Sequence, residues 1–393
     1  MEETNRNKRK ALLLGISALL IFICLCVAAV ALSIDIRYRC KEKEAASHAP
    51  EYIEEYYYYN RLTYKEQLLF KSLVTAIKGY ESDTAILPYR YTEDEFNRTA
   101  KAVSFDCPSF FYLDTNSLKL YCDGYKTSVN ISYLDTPTSI TRMKMEVEAV
   151  SAAVMAYIKE DQSDFEKAVI LHDFLTRRCS YAGKPENSST VKKTSHTAYG
   201  ALADKTAYCD GYASAYKLLL NRCGIEAIIA EGATDVRPHL WNVVKMDGKY
   251  YHIDCTWDDA DTDYLSDVAF HGYFGLSDKD ITTTHEIYDM FALPPCSSDD
   301  NYYTLNGSVV PTPEAFEDTA FEQLQKAVKS NYAYIELEPL YTTDEKDYEE
   351  ALLKAIDRLN GLYDKAVYSR SFRAFKAKDS GNAVTILLYF INQ

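Results

Sequence analysis

Cysteine is scarce for a chain of 393 residues: ten are present, too few for a disulfide scaffold, and no CxxC pair offers a zinc-ligand spacing. Basic charge is short as well. Lys plus Arg number 43 against 58 Asp plus Glu, giving a formal charge of −15. A surface that acidic repels phosphate backbones and argues against a nucleic-acid partner. Tryptophan is the rarest aromatic, with 2 residues, and no internal repeat or low-complexity tract stands out beyond a run of tyrosines at 56–59. Tyrosine, by contrast, is abundant at 34 against 16 Phe, which favours half-wet surfaces and clefts over a dry core. The 47% hydrophobic and 26% charged residues are ordinary globular values and exclude a disordered or fibrous chain. The length holds two to three domains at ~100–200 residues each.

From Ala11 to Ile34 no charge occurs in 24 residues. At ~1.5 Å per residue such a helix spans the ~30 Å of bilayer hydrocarbon. Arg6, Lys8, Arg9 and Lys10 precede it, the basic flank expected on the cytoplasmic side, although Arg37, Arg39, Lys41 and Lys43 follow it. The run exceeds the ~7–15 residues of a signal-peptide core. The expectation is therefore a single-pass membrane anchor with a cytoplasmic N-terminus and an extracytoplasmic bulk. Secretion after cleavage near Ala31, where Ala29-Val30-Ala31 resembles an A-x-A site, is the alternative. Ile23 and Leu25, which precede Cys24 and Cys26, do not fit a lipoprotein signal.

Composition shifts and hydrophobic periodicity divide the chain into a cytoplasmic tail and anchor (1–35), a linker (36–60), an N-terminal α/β extension (61–144), a core (145–290) and a small C-terminal α/β appendage (296–393). Helices are expected over 62–77, 143–158, 164–175, 314–330 and 347–362. Phe110–Leu113 and Leu118–Tyr121 read as strands across a polar turn, which Cys107 and Cys122 are placed to bridge if the compartment is oxidising. Tyr302–Leu305 with Asn306-Gly307 reads as a hairpin.

The chemistry concentrates between Ser195 and Asp259. A helix opens at Cys209, with Tyr212, Ala215, Tyr216, Leu219 and Leu220 on one stripe and Gly224 just past its end. A cysteine on a first turn faces the positive end of the macrodipole, which favours the reactive thiolate. After a strand at 225–230 comes Pro238–Met246, an Asp247-Gly248 turn, and Lys249–Trp257. Asp-Gly between alternating runs is the strongest local hairpin signal. If the loop holds two residues, Met246 faces Lys249, and His239 and Asp254 become diagonal neighbours on one face of the ribbon. At ~7–8 Å between backbones they are within side-chain reach. An imidazole oriented by a carboxylate is what a nucleophilic thiol requires.

Cys209-Asp210-Gly211-Tyr212-Ala213, then His239-x-Trp241-Asn242-x-Val244, then Asp247-Gly248-Lys249-Tyr250-Tyr251-His252-Ile253-Asp254-x-Thr256-Trp257-Asp258-Asp259 resemble the bacterial transglutaminase-like superfamily. Lys167-Ala168-x-x-Leu171-His172-Asp173-Phe174-Leu175 and Thr197-Ala198-Tyr199-Gly200-Ala201-Leu202 are similar too, so the resemblance is specific over about residues 145–285. It implies an α+β fold: a papain-like core in which the helix bearing the nucleophile packs on an antiparallel sheet. It also implies Cys209 as nucleophile, His239 as general base and acid, and Asp254 as the orienting carboxylate. The expected reaction is acyl transfer or hydrolysis on a protein or peptide carboxamide (a glutamine side chain or a backbone amide) through a thioester, with an amine as possible acceptor. A cysteine peptidase and a weakly catalytic or non-catalytic cell-envelope binding module are the alternatives. No Gln stands just upstream of Cys209, in Lys205-Thr206-Ala207-Tyr208, where papain-type proteases carry one. Trp241, His252, Trp257 and His196 are expected to wall or buttress the cleft, and Asn242 to point away from His239. Surface or loop roles suffice for His48, His271 and His285, which show no metal spacing, so neither metal nor cofactor is expected.

Overall fold

The computed structural model describes residues 2–123, 126–183, 192–235, 237–259, 268–288, 290–341, 345–375 and 383–391. Two compact units emerge from the chain's own contacts: Met1–Cys107 with Leu113–Tyr133, and Pro108–Tyr112 with Leu134–Gln393.

In the first unit, α1 (Glu2–Ser47) carries the apolar run. It is long and apolar enough to cross a membrane, and a signal sequence meets the same description. Helices α2 (Tyr64–Gly79) and α3 (Glu93–Asp106) both open with capping boxes, Thr63 with Glu66 and Thr92 with Glu95, which satisfy the first-turn N–H groups. Strands β1 (Lys119–Asp123) and β2 (Lys126–Asn130) form an antiparallel hairpin. It lies further along the chain than the sequence pattern placed it, because Pro108–Phe110 and Thr115–Ser117 wind into single 3-10 turns. Cys122 therefore sits opposite Thr127, and no disulfide joins Cys107 to Cys122.

The tyrosine run is not a wet surface. Tyr58 and Tyr59 are fully buried, their backbone N–H groups donating to the Asp106 carboxylate at 3.1 and 2.7 Å. Their rings meet Phe105 and Phe70 edge-on, at 5.2 and 4.9 Å between centroids. Tyr112, Tyr212, Tyr216 and Tyr368 are fully buried too. A phenol can enter a core when its hydroxyl finds an acceptor, as Tyr216 does on the Ala168 carbonyl at 2.9 Å.

The second unit begins with α4 (Pro137–Met155), α5 (Asp164–Thr176, opened by the Ser163–Glu166 capping box), β3 (Ser180–Tyr181), β4 (Thr206–Ala207) and α6 (Cys209–Arg222). Then come β5 (Ala227–Thr234), β6 (Arg237–Met246), β7 (Lys249–Ile253), β8 (Phe274–Leu276), the short α7 (Asp278–Ile281) and β9 (Glu286–Ile287). These five strands make one antiparallel sheet in the order β8-β7-β6-β5-β9. The Asp247-Gly248 turn adopts φ of 49° and 87°, the left-handed pair of a two-residue hairpin, and sets Met246 opposite Lys249 and Asn242 opposite Ile253. Helix α6 packs on β5 and β6. Its stripe of Tyr212, Ala215, Tyr216, Leu219 and Leu220 is fully buried, and each buried Leu contributes roughly 1.5–3 kcal/mol. The Asn242 amide, pointing away from His239 as its alternation requires, donates to the Ala213 carbonyl at 3.0 Å and locks helix to sheet.

The rest of the chain forms α8 (Tyr302–Asn306), β10 (Val309–Val310), α9 (Phe316–Ser330), β11 (Tyr334–Pro339), α10 (Glu345–Asn360), β12 (Tyr368–Phe375) and β13 (Val384–Phe390). The strands are ordered β10-β11-β13-β12, with Phe316, Leu324, Leu337, Leu352 and Ile356 in the core they share with α9 and α10. Residues 302–306 are a helical turn rather than a hairpin. Asn301 caps its start through the Thr304 N–H, and Gly307, at φ 68°, ends it in the left-handed region.

One glycine has a steric role in bringing β9 to the sheet. A Cβ on Gly232 would lie 1.8 Å from the Glu286 carbonyl oxygen. Gly232→Ala is therefore expected to force β9 off the sheet edge, destabilising the fold by roughly 1–3 kcal/mol. An unchanged urea midpoint in that variant would contradict the packing described.

Candidate active site

Three elements deliver the side chains singled out in the sequence. Cys209 occupies the first turn of α6, half-buried, after the extended Tyr208. The chain at 195 braces that turn: the Tyr208 N–H donates to the Ser195 carbonyl at 2.9 Å, and a Cβ on Gly211 would meet the same oxygen at 2.7 Å. His239 projects from β6, buried, and Asp254 follows the last residue of β7 at 1% exposure.

The hairpin brings His239 and Asp254 together directly, with His239 Nε2 2.6 Å from Asp254 Oδ2. The Cys209 thiol lies close enough to the same ring to act on its charge. Asp254 is held from every side. Its Oδ1 accepts the backbone N–H groups of Thr256 and Trp257 at 2.9 and 3.3 Å, and its Oδ2 also faces His285 Nε2 at 3.1 Å.

The electrostatics follow from this geometry. Burial alone would protonate Asp254, but the charges and hydrogen bonds of His239 and His285 outweigh it and hold the carboxyl well below the usual range. Burial alone would discharge His239. The Asp254 charge and hydrogen bond, with a smaller contribution from Cys209, overcome that and push the imidazole up to about 10. The arrangement is a buried ion pair beside the half-buried Cys209 thiol.

The supporting residues separate into distinct places. Trp241 stacks on His239 at 5.9 Å and 18°, and Trp257 approaches edge-on at 6.4 Å. His252 touches neither His239 nor Asp254 by hydrogen bond. Its Nδ1 accepts the Trp241 indole N–H at 2.9 Å and its Nε2 faces Asp278 at 2.9 Å, so it steadies the tryptophan that stacks on His239. Burial lowers the His252 pKa despite Asp278, in keeping with a neutral ring that accepts at Nδ1. His196 is half-exposed. It bonds Asp210 at 2.7 Å and stacks on Tyr208 at 4.6 Å, holding the residues on either side of Cys209.

Two histidines differ from the sequence reading. His285 and His271 are fully buried rather than on the surface, whereas His48 is exposed, stacked on Tyr64 at 5.2 Å. His285 shares the Asp254 carboxylate, and the short β9 beside it is placed by the clearance at Gly232. A two-residue strand carries no periodicity by which sequence could have found it. Among the described residues, three groups bring ligand atoms within 4.8 Å of one another as a metal ion would need: His239–Asp254–His285, His252–Asp278–Cys296 and His172–Asp173–His271.

Residues 152–255 match the profile of the transglutaminase-like superfamily. Three solved structures are similar. One is a TGase, at TM-score 0.27 and 14% identity over 37% of this chain and 45% of that one. The second is a candidate cysteine protease from Cytophaga hutchinsonii, at TM-score 0.23 and 13% identity over 33% and 51%. The third is a candidate protease from Parabacteroides distasonis, at TM-score 0.22 and 13% identity over 35% and 30%. The similarity thus spans about half or less of each of those chains. No curated protein matches the chain. Residues 152–255 form a transglutaminase-like domain, in which helix α6, opened by Cys209, packs on an antiparallel sheet.

The raised His239 pKa has a defined sign in stability. Below the ordinary imidazole value of ~6.5 the ring is protonated in both folded and unfolded chains, and its attraction to Asp254 contributes in full. That contribution fades as pH rises toward about 10, where the folded ring loses its proton. Denaturation followed by the fluorescence of Trp241 and Trp257 is expected to show wild type exceeding His239→Gln by most between pH ~4 and ~6.5, with a shrinking difference above. A difference that grows with rising pH would contradict the ion pair.

Proposed function

We propose that the protein is a cysteine-dependent acyltransferase or amide hydrolase acting on protein or peptide carboxamides. The observation that supports this reading most is the His239 ring, held through Nε2 by buried Asp254, with the Cys209 thiol close enough to act on its charge. In the forward half-reaction the Cys209 thiolate attacks the carboxamide carbon, forming the C–S bond. The developing oxyanion lies near the first turn of α6, whose N–H groups have no intrahelical acceptor and point along the positive end of the helix. His239, holding the proton taken from the thiol, gives it to the departing nitrogen. The C–N bond breaks, ammonia or an amine leaves, and a thioester remains on Cys209. In the second half, neutral His239 removes a proton from an incoming amine or water. The new C–N or C–O bond forms as the C–S bond breaks, and the thiol is regenerated with that proton. Asp254 holds the ring in the orientation and charge that both halves need.

The division into an anchor (1–35), a linker (36–60), an extension (61–144), a catalytic unit (145–290) and an appendage (296–393) belongs to the same proposal. So do the extracytoplasmic placement of the bulk behind a single-pass helix with a cytoplasmic N-terminus, and the cleft-walling roles of Trp241, Trp257, His252 and His196. The formal charge of −15 for the whole chain falls on the residues beyond the anchor, and an acidic ectodomain suits cationic amine acceptors.

Acyl-thioester trapping tests the reading. The full-length chain in detergent, mixed with a glutamine-containing peptide library, is expected to gain a hydroxylamine-labile mass on the Cys209 peptide. Cys209→Ala should show none, and His239→Gln should form it ~10²–10⁴-fold more slowly. Adducts forming equally in Cys209→Ala would refute a Cys209 nucleophile.

A further inference from the structure

A second cluster of ionisable side chains lies inside the same unit, away from Cys209. Helix α5 carries His172 and Asp173 on its buried face, at 0% and 2% exposure. The segment before β8 brings in His271, at 1% exposure. Asp173 and His271 are 98 residues apart, so no local spacing announces the cluster. Charged groups survive in a core only when paired or bound to a metal.

The three side chains converge on one point. His271 Nε2 lies 2.8 Å from Asp173 Oδ1, His172 Nδ1 lies 3.3 Å from the same oxygen, and one donor atom from each residue falls within 4.8 Å of the others. Tetrahedral bonds of about 2.0–2.2 Å place neighbouring donors about 3.3 Å apart, so small adjustments accommodate an ion.

The outer nitrogen of each imidazole faces a further buried carboxylate. His271 Nδ1 pairs with Glu336 on β11, and His172 Nε2 lies 3.2 Å from Asp258 Oδ2. Metal-bound imidazoles commonly have this support, which fixes the tautomer and strengthens the ligating nitrogen. The contact between His172 Nε2 and Asp258 Oδ2 lacks hydrogen-bond alignment, leaving both fully buried atoms short of a bonded partner while His172 turns its Nδ1 toward Asp173. The Tyr332 hydroxyl donates to the second Asp173 oxygen at 3.0 Å, and the Tyr302 ring stacks flat on His271 at 3.7 Å and 4°. Both the carboxylate and the ring are thereby fixed in place.

An access route is present. A cavity of about 510 Å³ between α5 and α9 is lined by Asp173, Glu336, Tyr302 and Tyr332, and reaches the cluster from the Asp173 side. The cavity leaves room for a water as fourth ligand to an ion held there.

We propose that His172 Nδ1, His271 Nε2 and Asp173 bind a divalent transition-metal ion of the zinc class, with Asp258 and Glu336 as supporting carboxylates. Imidazole with one carboxylate suits zinc better than the hard cations, which prefer all-oxygen sites. The site fastens the catalytic-core helix α5 to the central strand of the C-terminal sheet, and it stands independently of the Cys209 chemistry. The other two groups are weaker candidates. His239 and Asp254 belong to the site beside Cys209, and the Nδ1 of His252 accepts from Trp241, which leaves the proton on the Nε2 that faces Asp278.

The test uses full-length protein in detergent, stripped with chelator and titrated with Zn²⁺ alone by calorimetry, with bound metal counted after gel filtration. One equivalent is expected. It should be lost in Asp173→Asn and His271→Gln, weakened about 10–100-fold in Glu336→Gln, and kept in His285→Gln and Cys296→Ser. Circular dichroism establishes that each variant scored is folded. Co²⁺ in place of zinc gives a readout on wild type alone, namely visible d–d bands without thiolate-to-cobalt charge transfer. No stoichiometric binding by wild type overturns the proposal. So does binding that persists in both Asp173→Asn and His271→Gln, or a thiolate charge-transfer band.

Discussion

The carboxylate of Asp254 is the constraint around which the site is organised. A buried negative charge is costly unless hydrogen bonds and an opposite charge surround it. Here two backbone N–H groups take one oxygen and two imidazoles take the other. Each partner reaches Asp254 through a different piece of the fold: the turn after β7, the start of β6, and the loop entering β9. Remove the charge and the reason for His239 to be protonated, and for His285 to be buried, disappears with it.

From that point outward the geometry is a chain of supports. Trp241 lies flat on His239, His252 holds the Trp241 indole, and Asp278 holds His252. On the helix side, the Asn242 amide fixes β6 to α6 one turn beyond Cys209, and the Ser195 carbonyl fixes the turn before it. A thiol and an imidazole on different elements must meet within a few tenths of an ångström for proton transfer. These short polar links between strand, helix and loop are what limit their relative movement.

The parts of this arrangement that were legible in sequence are the local ones. Asp247-Gly248 fixed the hairpin register, and with it the meeting of His239 and Asp254, because a two-residue left-handed turn leaves the strands one pairing. Cys209 at a helix start was legible from the stripe that follows it. The rest depends on contacts distant along the chain. His285 reaches Asp254 because Gly232 admits β9. His271 reaches Asp173 across 98 residues. Neither leaves a spacing in the sequence, so both histidines read as ordinary loop residues. Residues 302–306 read as a hairpin because Asn-Gly ends a helix as readily as it turns a strand, and the choice was made by the Asn301 cap and by the packing of Tyr302 on His271. Composition misled about tyrosine for a related reason: amphipathic rings enter a core once backbone carbonyls and carboxylates lie within their reach.

The most direct measurement is the protonation state of the His239 ring, read by nitrogen-15 NMR of selectively labelled protein. With Asp254 ionised beside it, both ring nitrogens of His239 should carry protons at pH ~7.5, a full unit above an ordinary imidazole pKa of ~6.5, and should keep them until the pH approaches about 10. In Asp254→Asn the same ring should be neutral at pH ~7.5. A neutral His239 in the wild-type protein at that pH would contradict the account.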